Sequence, residues 1–94
     1  MDTIREINGI KPGKVKAKVW RELQGYDPLE GDKIDFEGCI NKIAMVYGTD
    51  AAFIEDNLDI DDILPTFLEC VHYVNDLVFS KLSVLPKNGE KAVE

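Results

Sequence analysis

Hydrophobic positions recur with a helical period along most of the chain and are interrupted by clusters of turn residues. Phe36, Ile40, Ile43 and Tyr47 fall at i, i+4, i+7 and i+11. They lie between Asp35, a residue suited to an N-cap, and Gly48, which stops the pattern, so a helix is expected over 36–47. Thr49 or Asp50 then caps a short helix carrying Ala52, Phe53 and Ile54 that finishes near Asn57. The longest element runs from Ile63 to about Val84. Asp62 is its expected cap, and Pro65 takes the third helical position, where the backbone N–H has no partner inside the helix. At 1.5 Å per residue it spans ~33 Å.

The first segment has two competing patterns. Gly25, Asp27-Pro28 and Gly31 form a turn cluster that ends whatever precedes it. Pro12 is suited to open a helix, and Val15, Val19 and Leu23 follow at i, i+4 and i+8 with Trp20 alongside. Lys14-Val15-Lys16-Ala17-Lys18-Val19 also alternates as a strand would. The helix is preferred over about 12–24, because Lys, Ala, Arg, Glu, Leu and Gln are good helix formers and few of them favour strands. Asn8-Gly9 is a turn, and Thr3 to Ile7 is too short to assign. The expectation is an all-α fold: a single compact four-helix domain over 1–94 with a long C-terminal helix, an ordered core at about 11–86 and a flexible tail at 87–94.

The last helix has an unusual cross-section. At ~100° per residue, Leu64, Phe67, Leu68, Val71, Val74, Val78, Leu82 and Leu85 form one stripe, widened by Ile63, Cys70 and Leu77. Thr66, Glu69, Asp76, Ser80 and Ser83 form the opposite, polar face, and Phe79 edges the arc beside His72. The arc is wider than the ~100° stripe of a helix resting on one neighbour. Such a helix is expected either to be the central one, clasped by the other three, or to keep part of its arc for another chain.

Composition adds that this is an ordinary globular chain, 45% hydrophobic and 31% charged over 94 residues, which excludes disordered and collagen-like classes. No apolar run approaches the ~18 residues of a membrane span, and the start lacks a basic stretch followed by an apolar core. A reducing cytosol with Cys39 and Cys70 as free thiols is expected. Net charge is −7, distributed as +3 over residues 1–25 and −10 over 26–86. The acidic majority opposes nucleic acid and anionic membranes and favours basic protein partners. Association of copies through basic and acidic ends is equally natural.

Candidate chemistry is sparse. Cys70-x-His72 would point its two side chains about 200° apart on a helix, so it makes no nucleophile dyad. Two cysteines and one histidine do not supply a zinc set, and no Gly-rich phosphate loop is present. Neither catalysis nor a cofactor is expected. Asn57-x-Asp59-x-Asp61 imitates a calcium loop but has Asp62 in place of the turn glycine and Leu68 in place of the bidentate Glu. These carboxylates suit a helix N-terminus, and their alternation with Leu58, Ile60 and Ile63 makes an acidic, sticky edge. Lys14, Lys18 and Arg21 align at i, i+4 and i+7, a solvated face that offers a nucleic-acid-binding or regulatory module as the alternative function.

Three stretches carry a family resemblance: the Lys-rich Lys11 to Trp20 (KPGKVKAKVW), Asp35 to Asp50 (DFEGCINKIAMVYGTD) and Asp59 to Val78 (DIDDILPTFLECVHYVNDLV). Over about residues 11–86 the chain resembles the small tail assembly chaperones of long-tailed phages and prophages. The resemblance implies an all-helical, non-enzymatic protein of the bacterial host cytoplasm. Its expected partner is the helix-rich tape measure protein, which it would bind and keep soluble while tail tube subunits assemble. It also implies a longer product made by a minus-one ribosomal frameshift, and Pro86-Lys87-Asn88 can be encoded as the slippery run CCA AAA AAC. The expected partner-binding residues are Tyr73 and Phe79 as aromatic anchors, His72 at the edge of the arc, and Asp59 and Asp61 as the acidic edge.

Overall fold

Four α-helices occur among residues 4–82, the part of the chain that the computed structural model describes. They are α1 (Ala17–Gln24), α2 (Phe36–Tyr47), α3 (Ala51–Asn57) and α4 (Ile63–Leu82), with a 3-10 turn at Ile60–Asp62 leading into α4. Between α1 and α2 lies an antiparallel hairpin of two short strands, β1 (Leu29–Glu30) and β2 (Lys33–Ile34), in which Leu29 pairs with Ile34 and Glu30 with Lys33. The protein is therefore mostly helical and carries a small sheet, so it is not strictly all-α. The expected tail at 87–94, the frameshift triplet and the last turn to Val84 lie outside the described residues.

Local chemistry accounts for the middle of the chain. The Asp35 carboxylate accepts the Gly38 N–H at 3.0 Å and starts α2. Gly48 ends it in the left-handed conformation, φ 74°, which costs glycine least. Asp50 caps α3 by accepting the Phe53 N–H at 2.9 Å. Asp62 does not cap α4. It belongs to the 3-10 turn, which closes the helix start through its own backbone bond from Asp62 N–H to the Asp59 carbonyl.

The start of α1 departs from expectation by about one turn. The helix begins at Ala17, with Lys16 extended at the cap position and no side chain satisfying it. Residues before it are held elsewhere: the Tyr73 hydroxyl donates to the carbonyls of Gly13 at 3.0 Å and Pro12 at 3.3 Å, and Val15 packs against the core. Tertiary contacts thus override the proline's readiness to open a helix.

All three other helices pack on α2, which makes α2 rather than α4 the centre of the fold. Its contribution to the core is Cys39, Ile43, Ala44, Val46 and Tyr47. They meet Val19 and Leu23 of α1, Ile54 of α3, and Ile63, Phe67, Cys70 and Val74 of α4. Ile4 and Ile7 are also buried, so the packed chain starts well before residue 11. Their segment doubles back at Asn8 and Gly9, both with positive φ, where Ile7 and Ile10 exchange backbone hydrogen bonds of 2.9 Å.

Tyr26 pins the hairpin loop to two helices. Its hydroxyl donates to the Asp35 carboxylate at 3.0 Å, its ring meets Phe67 edge to face at 5.5 Å, and the Lys42 ammonium sits 4.6 Å from its centroid. Gly38 makes this approach feasible, since a Cβ there would collide with the Tyr26 hydroxyl and the Asp35 carboxylate.

The buried arc of α4 is rotated from its expected position. Thr66, expected on the polar face, is fully buried, whereas Leu68, expected in the apolar stripe, is 48% exposed. Cover arrives from α2 on one flank and from the N-terminal segment on the other, and that segment lies along Glu69 and Tyr73. Beyond Val74 the helix carries no fully buried residue among those described, and Leu77, Val78 and Phe79 are 37%, 36% and 60% exposed. No described helix is long and apolar enough to cross a membrane.

Candidate partner-binding surface

The five expected binding residues divide into three groups on α4 and the turn before it. Phe79 is 60% exposed, and His72 is exposed seven residues earlier, which places the two within about 20° of each other on the helix. Leu68 lies on this outer flank too, about 20° from Phe79 and three turns before it. Its exposure was the missing signal: periodicity alone assigned Leu68 to the core because Phe67 and Leu68 are consecutive in a broad apolar arc. Leu77 and Val78 lie off this flank, on the side of the buried residues, and are 37% and 36% exposed.

Tyr73 stands apart from this flank. It lies about 120° from Phe79 around the helix, is half-buried, and spends its hydroxyl on the Pro12 and Gly13 carbonyls. Its role here is to hold the chain's own N-terminal segment, so it does not form one anchor pair with Phe79.

Asp59 and Asp61 form the third group, at the opposite end of α4, about 24 Å from Phe79 along the axis. Their carboxylates and that of Asp62 approach within 4.8 Å of one another. Asp62 faces the Arg5 guanidinium at 3.4 Å, and the start of α4 presents its positive dipole end to the cluster. These interactions offset part of the cluster's negative charge. Ile60, 68% exposed, stands between them, so the acidic edge does carry an apolar residue at its centre, while Leu58 and Ile63 turn inward.

Chemistry elsewhere is confined to the interior. Cys39 and Cys70 are free, fully buried thiols, and burial pushes both up from the ordinary cysteine range, Cys70 to about 12. Cys70 points into the core while His72 faces outward, so the pair forms no dyad. The basic stripe is shorter than its spacing implied. Lys14 precedes α1, leaving Lys18 and Arg21 on the helix, exposed and without an ion pair among the described residues.

Comparison with known proteins returns nothing to set beside this geometry: no family model, no curated protein and no solved structure matches the chain.

Proposed function

We propose that this protein is a non-enzymatic chaperone of phage or prophage tail assembly, acting in the bacterial host cytoplasm. In this proposal the outer flank of α4 holds a helical segment of the tape measure protein until tail tube subunits close around it. The observation that carries the proposal is the exposure of two large apolar side chains on one flank of a 20-residue helix, Leu68 at 48% and Phe79 at 60%, about 20° apart around its axis. Exposed aromatic and aliphatic side chains on one flank suit the anchors of an amphipathic partner helix, with His72 between them as a polar contact. The acidic turn at its start, Asp59 and Asp61 around Ile60, favours a partner with basic residues at the matching end.

The test is co-expression with the tape measure protein encoded nearby. The parent chain raises that protein's soluble fraction, and Leu68→Ser combined with Phe79→Ser abolishes the gain while the variant keeps the parent's helical circular dichroism. A folded double variant that still solubilises the partner overturns the proposed surface. Failure of the parent itself to change the partner's solubility or to co-purify with it overturns the proposed function.

A further inference from the structure

Residues 4–13 cross α4 on a side whose sequence is written for water. The row Thr66, Glu69, Tyr73, Asp76 and Ser80 has the polar composition of a solvent-facing helix surface, yet its first members are covered. Thr66 is fully buried, and its hydroxyl has no hydrogen-bond partner. An isolated buried hydroxyl is costly, whereas the same group on an exposed helix face is satisfied by water. The covering segment is not a helix or a ladder strand. It is a turn at Asn8-Gly9 with two buried side chains, Ile4 and Ile7, and a small set of polar ties.

Those ties run from Arg5, Pro12 and Gly13 of the segment to α2, to α4 and to the 3-10 turn before α4. The Arg5 guanidinium forms a two-pronged pair with Glu69, Nε at 2.9 Å and Nη2 at 2.7 Å, and its Nη1 reaches Asp62 at 3.4 Å. The Arg5 carbonyl accepts the Tyr47 hydroxyl at 2.6 Å. At the far end, the Tyr73 hydroxyl holds the Gly13 carbonyl. Both carboxylates that grip Arg5 are more than a third exposed, so water competes for the grip.

We propose that residues 4–13 form a releasable strap, latched by Arg5 on Glu69 and Asp62, which opens as a unit while α2 and α4 stay folded. Release returns Glu69 and Tyr73, the members of the polar row that the segment contacts, to the surface their sequence matches. It also uncovers the seats of Ile4 and Ile7. The covered and uncovered states use the same helix, so the latch sets how often that seat is open.

Hydrogen exchange on the full chain tests this through the Ile7 and Ile10 amides, which bond only within the strap, and through amides in the middle of α2. In the parent, the two strap amides exchange at least about tenfold faster than those of α2. Glu69→Gln, which keeps the side chain's size and removes the charged partner of the fork, speeds the strap amides by up to about fivefold and leaves α2 unchanged. Arg5→Lys, which keeps the charge but loses the fork, gives an intermediate rate. Equal exchange rates for strap and α2 in the parent overturn the proposal. So does a Glu69→Gln effect that accelerates both regions in parallel, because either result makes the strap part of a single cooperative unit.

Discussion

Phe67 and Leu68 are consecutive, both large and apolar, and on opposite sides of the boundary between core and surface. Phe67 is 2% exposed and packs edge to face on Tyr26, whose loop it ties to α4. Truncation to Ala removes most of a buried aromatic side chain from a site bounded by two helices and a hydrogen-bonded tyrosine, so the cavity cannot collapse freely. The expected cost is ~3–5 kcal/mol, which includes the share carried by the aromatic pair. A chain of this length has a total stability of ~5–14 kcal/mol, so Phe67→Ala consumes a large part of it. Leu68→Ala removes a side chain that already stands about half in water, and should cost about 1 kcal/mol or less. Thermal unfolding followed by circular dichroism separates the two. At roughly 4–8 °C per kcal/mol for a domain of this size, Phe67→Ala should melt at least about 12 °C below the parent, with Leu68→Ala much closer to it. A Phe67→Ala protein melting within about three degrees of the parent, or a Leu68→Ala protein melting as low as Phe67→Ala, would refute the assigned orientation of α4.

Three further outcomes follow from the interior and the latch. Arg5 holds the Glu69 carboxyl below its ordinary value by hydrogen bonding, so this pair's contribution is fully present above the usual glutamate range. It fades as pH falls through the depressed native value. After solvent screening it is worth about 1 kcal/mol or less, and urea melts of Glu69→Gln between pH 3 and 6 should show a flatter pH dependence than the parent. Thr66→Val replaces an unpartnered buried hydroxyl with a methyl of the same shape and should leave the melting temperature unchanged or raise it; a clear fall would mean that the hydroxyl is satisfied. Cys39 and Cys70 should react with a thiol reagent at pH 8 only at the rate at which the core opens, and immediately in denaturant, because each is buried and held protonated. Prompt labelling of one thiol in the native protein would place that cysteine at the surface.

α2 and α3 were legible because their boundaries are local chemistry. An aspartate that accepts an N–H three residues on, or a glycine that turns left-handed, needs nothing from the rest of the molecule, and Asp35, Gly48 and Asp50 act as their types suggest. The Asn8-Gly9 turn was legible for the same reason, and the long helix after Asp62 from its extended apolar period. The hairpin at Leu29–Ile34 has strands of two residues, too short to carry a period, and its cluster of turn residues is the only trace of it in the sequence. Of the expected binding residues, Phe79 and His72 fall together on the outer flank and Asp59 and Asp61 lie together at the other end, whereas Tyr73 turned out to be committed to Pro12 and Gly13.

Tertiary structure alone decided which part of the broad apolar arc on α4 became core. Periodicity specifies a face only to within the width of the arc, and here that arc is broad enough to be buried in more than one rotation. The choice was made by what arrived to cover it: α2 on one flank, and on the other the strap, whose own sequence was too short to assign. The same contacts delayed the start of α1, buried Thr66 and left Leu68 in water. Caps and turns are written within a few residues and survive in isolation, whereas the rotation of a helix is the outcome of competition among surfaces that only the folded chain brings together.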